Sequence, residues 1–333
     1  MTLKAPFPYF GGKSRIAPLV WRAFGDVRSY VEPFAGSLAV LLARPAPFDG
    51  VETVNDAGGL LSNFWRAMTR DPEGVIAAAE WPVNEADLHA RHLWLVGRRE
   101  RITERLMGDP AWCDPQAAGW WVWGLCSWIG SGWCSGRGPW TAVDGVMVRA
   151  GDEGRGVCRQ IPHLGNEGKG VCRKLPHLGG SRGVNRQCPA DAAAPVTRQR
   201  YWLGSLVERL RYVRVACGGF ERVLSRSATH PSAPVAAVFL DPPYAAAGQG
   251  GAELYSAGGG DGSARACAWA LAHGDDPAYR IVLAGYAGEH AMPATWTPVS
   301  WEAGRSYAKS AGHAENSERE RLWLSPHCLP VED

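Results

Sequence analysis

The chain lacks several patterns that would each assign it to a class of protein. Among its 333 residues no stretch approaches 18 consecutive apolar residues, which argues against a membrane-spanning helix. The first residues, MTLKAPFPYFGGK, show no charged segment followed by an apolar one, so we expect a cytoplasmic location and no membrane partner. The nine cysteines include no closely spaced CxxC pair, so free thiols are expected.

Two phosphate-binding patterns, GxGxxG and GxxxxGK[ST], are also missing. A different glycine turn is present in VEPFAGS, where a predicted strand ends at Glu32 and Gly36 opens a helix. Because ligands of open α/β sheets bind beyond the carboxyl ends of strands, this turn suits a nucleoside without phosphates. Asp56, at the end of the next predicted strand, is placed to hydrogen-bond ribose hydroxyls. A plain strand-to-helix turn is the alternative.

The hydrophobic pattern predicts one mostly parallel α/β domain built from both ends of the chain. Strands are indicated in RSYVEPFAG, GVETVND, VRVACGGF, VAAVFLDPPY, YRIVLAGY and RERLWLSPH, and helices in SLAVLLARP, LLSNFWRAMTR, TRQRYWLGSLVERLRYV and SARACAWALAHG. We assign residues 1–68 and 198–333 to this domain and residues 69–197 to an insertion. The insertion is expected to be irregular, apart from one or two helices in NEADLHARHLWLVGRRERITERLM.

Basic residues concentrate in the middle of a nearly neutral chain. The formal net charge is +2, but residues 149–226 hold 15 Arg or Lys against 6 Asp or Glu. Part of this region, residues 154–187, is an arginine- and glycine-rich repeat with a 14-residue period. It predicts a polyanionic partner, with a solvated loop as the alternative. The side chains predicted to contact phosphates are Arg155, Arg159, Lys169, Arg173, Arg182 and Arg186.

The same repeat contains residues that could bind zinc, but its pattern argues against a zinc site. Two cysteines and two histidines would suffice for a zinc site, namely Cys158, His163, Cys172 and His177. The spacing lacks the usual CxxC knuckle and the third copy has Asn185 at the cysteine position, so we expect no metal. The chain also has 16 tryptophans. Those predicted to lie mainly in a core, rather than to stack on bases, are Trp120, Trp121, Trp123, Trp128 and Trp133.

Three stretches together resemble the Dam-type (D12 class) DNA adenine-N6 methyltransferases. FPYFGGK near the start, YVEPFAGS about twenty residues later and DPPY at 241–244 stand in the order found in that family. The resemblance covers roughly residues 5–65 and 200–327. It implies a Rossmann-like S-adenosylmethionine-dependent methyltransferase sheet with an inserted target-recognition region. The insertion resembles proteins of phages and prophages, which implies a lone phage or prophage modification enzyme, with membership of a restriction-modification pair as the alternative.

The resemblance also implies roles for individual residues. Those implied to bind S-adenosylmethionine are Tyr9, Gly11, Gly12, Lys13, Glu32, Phe34, Gly36, Asp56 and Asp241. Those implied to be catalytic are Asp241, Pro242, Pro243 and Tyr244. The Asp241 carboxylate and the Pro242 carbonyl would each accept one N–H of the adenine amine, and Tyr244 would stack on the flipped base. One departure is Gly219, which stands where family members often have an acidic residue near the cofactor's adenine.

Other readings of DPPY remain open. The exocyclic amine of cytosine N4 fits the same tetrapeptide. A methyltransferase of RNA or of a protein glutamine usually carries Asn at the position of Asp241 and lacks the GGK segment. A catalytically silent DNA-binding protein on the same scaffold would not need an intact DPPY. We therefore predict a site-specific adenine-N6 methyltransferase of double-stranded DNA, whose target sequence the insertion determines.

Overall fold

The computed structural model describes residues 3–4, 7, 9, 12–46, 48–128, 133–134, 140–143, 146–149, 204–230, 233–243, 262–301 and 320–331. The chain divides into two compact units. The first comprises Met1–Lys4, Gly11–Ala57 and Tyr212–Asp333, and the second comprises Ala5–Phe10 and Gly58–Arg211. The functional division at 68/69 and 197/198 stays a prediction.

The described elements alternate between strands and helices in both outer parts of the chain. The strands are β1 (Ser29–Glu32), β2 (Val51–Asp56), β3 (Trp140–Val143), β4 (Val146–Arg149), β5 (Arg214–Cys217), β6 (Ala236–Leu240), β7 (Tyr279–Tyr286), β8 (Thr297–Ser300) and β9 (Glu320–Leu324). The helices are α1 (Ala17–Phe24), α2 (Ala39–Leu42), α3 (Gly59–Arg70), α4 (Pro72–Ala79), α5 (Glu85–Gly108), α6 (Pro115–Ser127), α7 (204–210), α8 (Arg226–Thr229) and α9 (Gly262–His273).

The first unit is built on a seven-stranded sheet in the order β5-β2-β1-β6-β7-β9-β8. Strands β5, β2, β1, β6 and β7 pair in parallel, whereas β9 runs antiparallel to both β7 and β8. All residues of β6 are buried, as expected for a central parallel strand covered on both faces. The predicted mostly parallel α/β sheet is therefore present.

One face of this sheet carries an apolar cluster that fixes the register of the central strands. Val31 of β1, Val238 and Leu240 of β6, and Ile281 and Leu283 of β7 all belong to it, and α9 packs against them. Because side chains alternate between the two faces of a strand, the residues next to these in sequence must point to the opposite face.

The second unit contains α3 to α6. The expectation of a mainly irregular segment is wrong for its described part, because residues 59–127 are largely helical. The pattern GWWVWGLCSW shows no helical period because α6 is buried on most of its surface, including Trp121 and Trp123. Such a helix has no polar face to mark its period. The expected core position is confirmed for Trp121, Trp123 and Trp133, while Trp120 and Trp128 are half-buried.

An aromatic cluster in the second unit includes a residue from the beginning of the chain, far in sequence from its neighbours. Phe7, only 3% exposed, packs its ring 5.2 Å from Phe64, 5.7 Å from Trp65 and 5.3 Å from Trp121, centroid to centroid. The segment FPYFGGK therefore supplies a core residue to this unit.

No helix in the described part of the chain is long and apolar enough to cross a membrane. The described cysteines are free thiols, as expected: Cys113, Cys126, Cys134, Cys217, Cys267 and Cys328.

Candidate active site

The strand order creates a crevice at the carboxyl ends of two central strands. From β1 the chain continues outward to β2 and β5 on one side, and it returns to β6 and β7 on the other. Such a reversal separates the loops that follow the two central strands, and ligands bind there in open α/β sheets. Glu32 is the last residue of β1, and Asp241 directly follows β6. Two adjacent strands therefore deliver carboxyl groups to the crevice.

The register extends this pair into a row of four polar side chains. Val31 pairs with Val238, Val238 with Ile281, and Tyr286 with Glu320. Val31, Val238 and Ile281 belong to the apolar cluster, and side chains along a strand alternate between the two faces. Counting along the strands from these residues, and across the Tyr286–Glu320 pair, places four polar side chains on the opposite face. We call them the polar row: Glu32, Asp241, Tyr286 and Glu320. The charge of Asp241 acts on both Glu32 and Glu320, which agrees with this placement.

Glu32 is a buried carboxyl group with its own hydrogen-bond donors. Its Oε2 accepts from the Tyr30 hydroxyl at 2.9 Å and from the Leu41 amide at 3.3 Å. Burial, helped by the nearby charges of Asp241 and Glu52, raises the pKa of Glu32 to about 8, although the two hydrogen bonds act to lower it. A nearby cation would favour the ionised form.

Asp241 forms an ion pair with Lys13. The distance from Lys13 Nζ to Asp241 Oδ1 is 2.9 Å, and Lys13 is 3% exposed. The Lys13 carbonyl accepts from the amides of Ile16 and Ala17 at 3.1 and 2.9 Å, so its backbone is fixed to the start of α1. The two predicted site residues, 228 positions apart in sequence, are therefore brought together.

Sequence reasoning missed two members of the polar row, Tyr286 and Glu320, of which Glu320 is the charged one. It is 8% exposed, and among the described residues its Oε2 has no hydrogen-bond partner. Burial raises its pKa, the Lys13 ammonium lowers it, and Asp241 raises it. Trp301 directly follows β8, the strand that pairs with β9. Its ring centroid lies 6.0 Å from Lys13 Nζ. Glu320 thus adds a second carboxyl group whose charge interacts with Lys13.

The glycine turn after β1 is held by the end of β2. Asp56 Oδ2 accepts from the Gly36 amide at 3.1 Å, the Asn55 carbonyl accepts from the Ala35 amide at 2.8 Å, and Asn55 Nδ2 donates to the Pro33 carbonyl at 3.0 Å. Gly36 has φ 46°, a left-handed conformation that favours glycine. Asp56 therefore positions the turn, a structural contact that the sequence did not indicate.

A pair of aromatic rings lies beside this turn. The Phe34 and Phe220 centroids are 4.9 Å apart, and Phe220 begins a short 3₁₀ helix, Phe220–Val223, after β5. Next to it, Glu221 Oε2 lies 3.1 Å from where a Cβ on Gly219 would stand. Glu221 Oε1 also pairs with Arg265 at 3.0 Å. A carboxylate is therefore present beside the position where Gly219 departs from the family pattern.

Other predicted residues are placed elsewhere or lie outside the described residues. Tyr9 belongs to the second unit, where its ring meets Phe7 edge to face at 6.1 Å. Gly12 is exposed, Pro242 is buried and Pro243 half-buried. The predicted residues outside the described part are Gly11, Tyr244, Arg155, Arg159, Lys169, Arg173, Arg182 and Arg186. The candidate zinc ligands of the repeat also lie outside it.

Comparison with known proteins supports the resemblance. The model of one family, the D12 class N6 adenine-specific DNA methyltransferases, matches residues 9–94. This range includes Tyr9, Lys13, Glu32, Gly36 and Asp56, and it ends before Asp241. The resemblance inferred from the motifs is thus confirmed over this range, and the seven-stranded sheet is consistent with a methyltransferase fold. No curated protein matches the chain.

Proposed function

We propose that the chain methylates the N6 amine of adenine in double-stranded DNA, within a short specific sequence and with S-adenosylmethionine as methyl donor. The observation that carries this proposal is the ion pair of Lys13 and Asp241 at the carboxyl end of β6, beside Glu32. The family match supports adenine-N6 chemistry on DNA.

The chemistry of the site fits the cofactor. When bound, S-adenosylmethionine supplies a methyl group activated by a sulfonium cation. Glu32 is a buried acid whose pKa is raised mainly by burial. A bound cation would favour its ionised form, so Glu32 would hold the cationic methionine end. Asp56 would hold the ribose, since a carboxylate accepts more than one hydrogen bond. Glu221 would provide the polar contact to the cofactor's adenine that Gly219 lacks.

Lys13 and Asp241 would prepare the acceptor amine. The adenine amine is a poor nucleophile because its lone pair is delocalised into the ring. Lys13 holds one oxygen of Asp241, and a carboxylate has about four lone-pair sites, so Asp241 would still accept an N–H from the base. The Pro242 carbonyl would accept the second N–H. Two fixed acceptors pull the nitrogen toward tetrahedral geometry, and this preorganisation lowers the barrier.

A single experiment separates the candidate functions. The protein is incubated with labelled S-adenosylmethionine and unmethylated duplex DNA, and the DNA is digested to nucleosides. We expect label in N6-methyladenine, with Asp241→Ala as the control that abolishes it. Label in N4-methylcytosine would assign the cytosine reaction. DNA binding without any labelled nucleoside would assign a silent DNA-binding protein.

A further inference from the structure

The second unit has a basic cavity for which the proposed chemistry has no use. It has a volume of ≈ 220 Å³ and lies against α5. Its walls carry three arginines and two tryptophans, which we call the arginine groove: Trp94, Arg98, Arg101, Arg105 and Trp112. The apolar Ile102 and the carboxylate of Asp114 complete the lining.

The three arginines lie on one face of a single helix. Their spacing of three and four residues brings Arg98, Arg101 and Arg105 to the same side of α5. All three side chains are exposed. In the described part of the chain none of them is within ion-pair distance of a carboxylate. Asp114 instead caps α6, where it accepts from the Ala117 amide at 2.8 Å. Like charges at this spacing repel, so the groove favours an anion.

Aromatic rings fix two of the three guanidinium groups. Arg98 Cζ lies 4.2 Å from the centroid of the Trp94 ring, and Arg105 Cζ lies 4.8 Å from that of Trp112. A stacked guanidinium keeps its edge N–H groups available to a ligand, in the planar geometry that suits phosphate oxygens.

The wall that carries Trp112 is held firmly. Arg66 Nη1 donates to the carbonyls of Leu106, Asp109 and Trp112 at 3.0 to 3.1 Å. Asn63 and Asp114 exchange two hydrogen bonds of 2.8 Å. Because the groove is formed before a ligand arrives, little ordering cost opposes binding.

We propose that the arginine groove binds the phosphate backbone of double-stranded DNA. Seven residues separate Arg98 from Arg105, so along the helix the three side chains span about 10 Å. Successive phosphates on one strand of B-DNA are closer together than this span, so more than one phosphate can contact the groove. Such contacts hold the duplex without reading its sequence. The choice of duplex DNA among polyanions rests on the proposed function.

The salt dependence of DNA binding tests the groove. Each phosphate contact contributes about 0.9 to the slope of log affinity against log salt. The triple variant Arg98→Ala, Arg101→Ala, Arg105→Ala should therefore lose up to about 2.7 from the slope, measured by fluorescence anisotropy of the full chain without cofactor. Between 50 and 200 mM salt the wild type should lose about 40-fold more affinity than the variant. The effect should be equal on duplexes of unrelated sequence.

Matched variants keep the result interpretable. Replacing Arg22, Arg28 and Arg211 by Ala removes the same charge from exposed positions elsewhere and should leave the slope unchanged. Arg101 belongs to neither ring stack, so the single variant Arg101→Ala should fold normally. Its slope of log affinity against log salt should be smaller than that of the wild type by about 0.9. An unchanged slope in the groove variants, or an equal fall in the control, would overturn the proposal. The salt-slope assay measures DNA binding and no methyl transfer. If the wild type proved inactive in the methylation assay, the proposed function would be refuted, but the binding result for the groove would still stand.

Discussion

The buried carboxyl group of Glu32 predicts that cofactor binding is coupled to proton release. With a pKa of about 8, this group is mostly protonated at pH 7. A bound cation favours its ionised form, so the proton must leave when S-adenosylmethionine binds. Below pH 8 the apparent affinity should fall by up to tenfold per pH unit, which makes it about tenfold weaker at pH 7 than above pH 9. Glu32→Gln should remove this dependence.

Calorimetry measures this coupling directly. The dissociation constant is determined for the wild type and Glu32→Gln between pH 6 and pH 9, in two buffers of different ionisation enthalpy. The cofactor's own amino group titrates near pH 8, but it contributes equally to both proteins and cancels in the difference. Parallel curves for the two proteins would refute the assignment of Glu32 to the cationic end of the cofactor.

The same shift affects folding, with a sign that follows from its direction. The folded state raises the pKa of Glu32 from its ordinary 4.5 to about 8, so it binds the proton more tightly than the unfolded state. The associated stability is fully present below pH 4.5 and is lost progressively up to pH 8. At 1.36 kcal/mol per pKa unit the total is about 5 kcal/mol. Glu32→Gln should lack this loss, and urea denaturation at pH 5 and pH 9 would reveal it.

Three further predictions concern the other site residues and the repeat. Asp241→Ala should lower the methylation rate by at least about 10²-fold while DNA binding survives, because it removes a preorganised acceptor; a near-normal rate in single-turnover assays would contradict this. Asp56→Ala and Lys13→Ala should weaken S-adenosylmethionine binding in calorimetry and leave DNA affinity unchanged, and Lys13→Ala should also slow transfer at saturating cofactor because it frees Asp241; normal cofactor affinity in both variants would contradict the cofactor assignment. In the arginine-rich repeat, Arg159, Arg173 and Arg186 are replaced together by Ala. If the repeat contacts phosphates, this variant should reduce the salt slope of DNA binding by up to about 3. A wild-type slope would assign the repeat a structural role.

The sequence predicted those parts of the site that depend on strand ends. Glu32 and Asp241 each follow a short apolar run, and carboxyl ends of parallel strands meet at one edge of a sheet. Glu320 was missed because its position depends on an antiparallel return. RERLWLSPH indicated a strand, but neither its direction nor its pairing with β7 follows from local pattern. The one signal in the sequence that could have indicated a site residue here was a charged residue, Glu320, at the start of a buried strand.

The arginine groove shows a similar limit. The spacing of Arg98, Arg101 and Arg105 within a predicted helix could have revealed a basic face. Trp112, however, comes from the segment between α5 and α6, and its place beside Arg105 depends on the bonds that Arg66 makes to backbone carbonyls. Those bonds join residues about 40 positions or more apart in sequence, beyond the reach of a periodicity argument.

The position of Phe7 has a consequence for modular exchange of the second unit. A graft that carried only residues 58–211 to another scaffold would leave behind the ring that packs between Phe64 and Trp121. Loss of a buried phenylalanine typically costs about 3–5 kcal/mol. A portable version of this unit would therefore need the N-terminal segment supplied in trans or joined by circular permutation. For the same reason, recombination between such genes should succeed more often when the beginning of the chain travels with its middle.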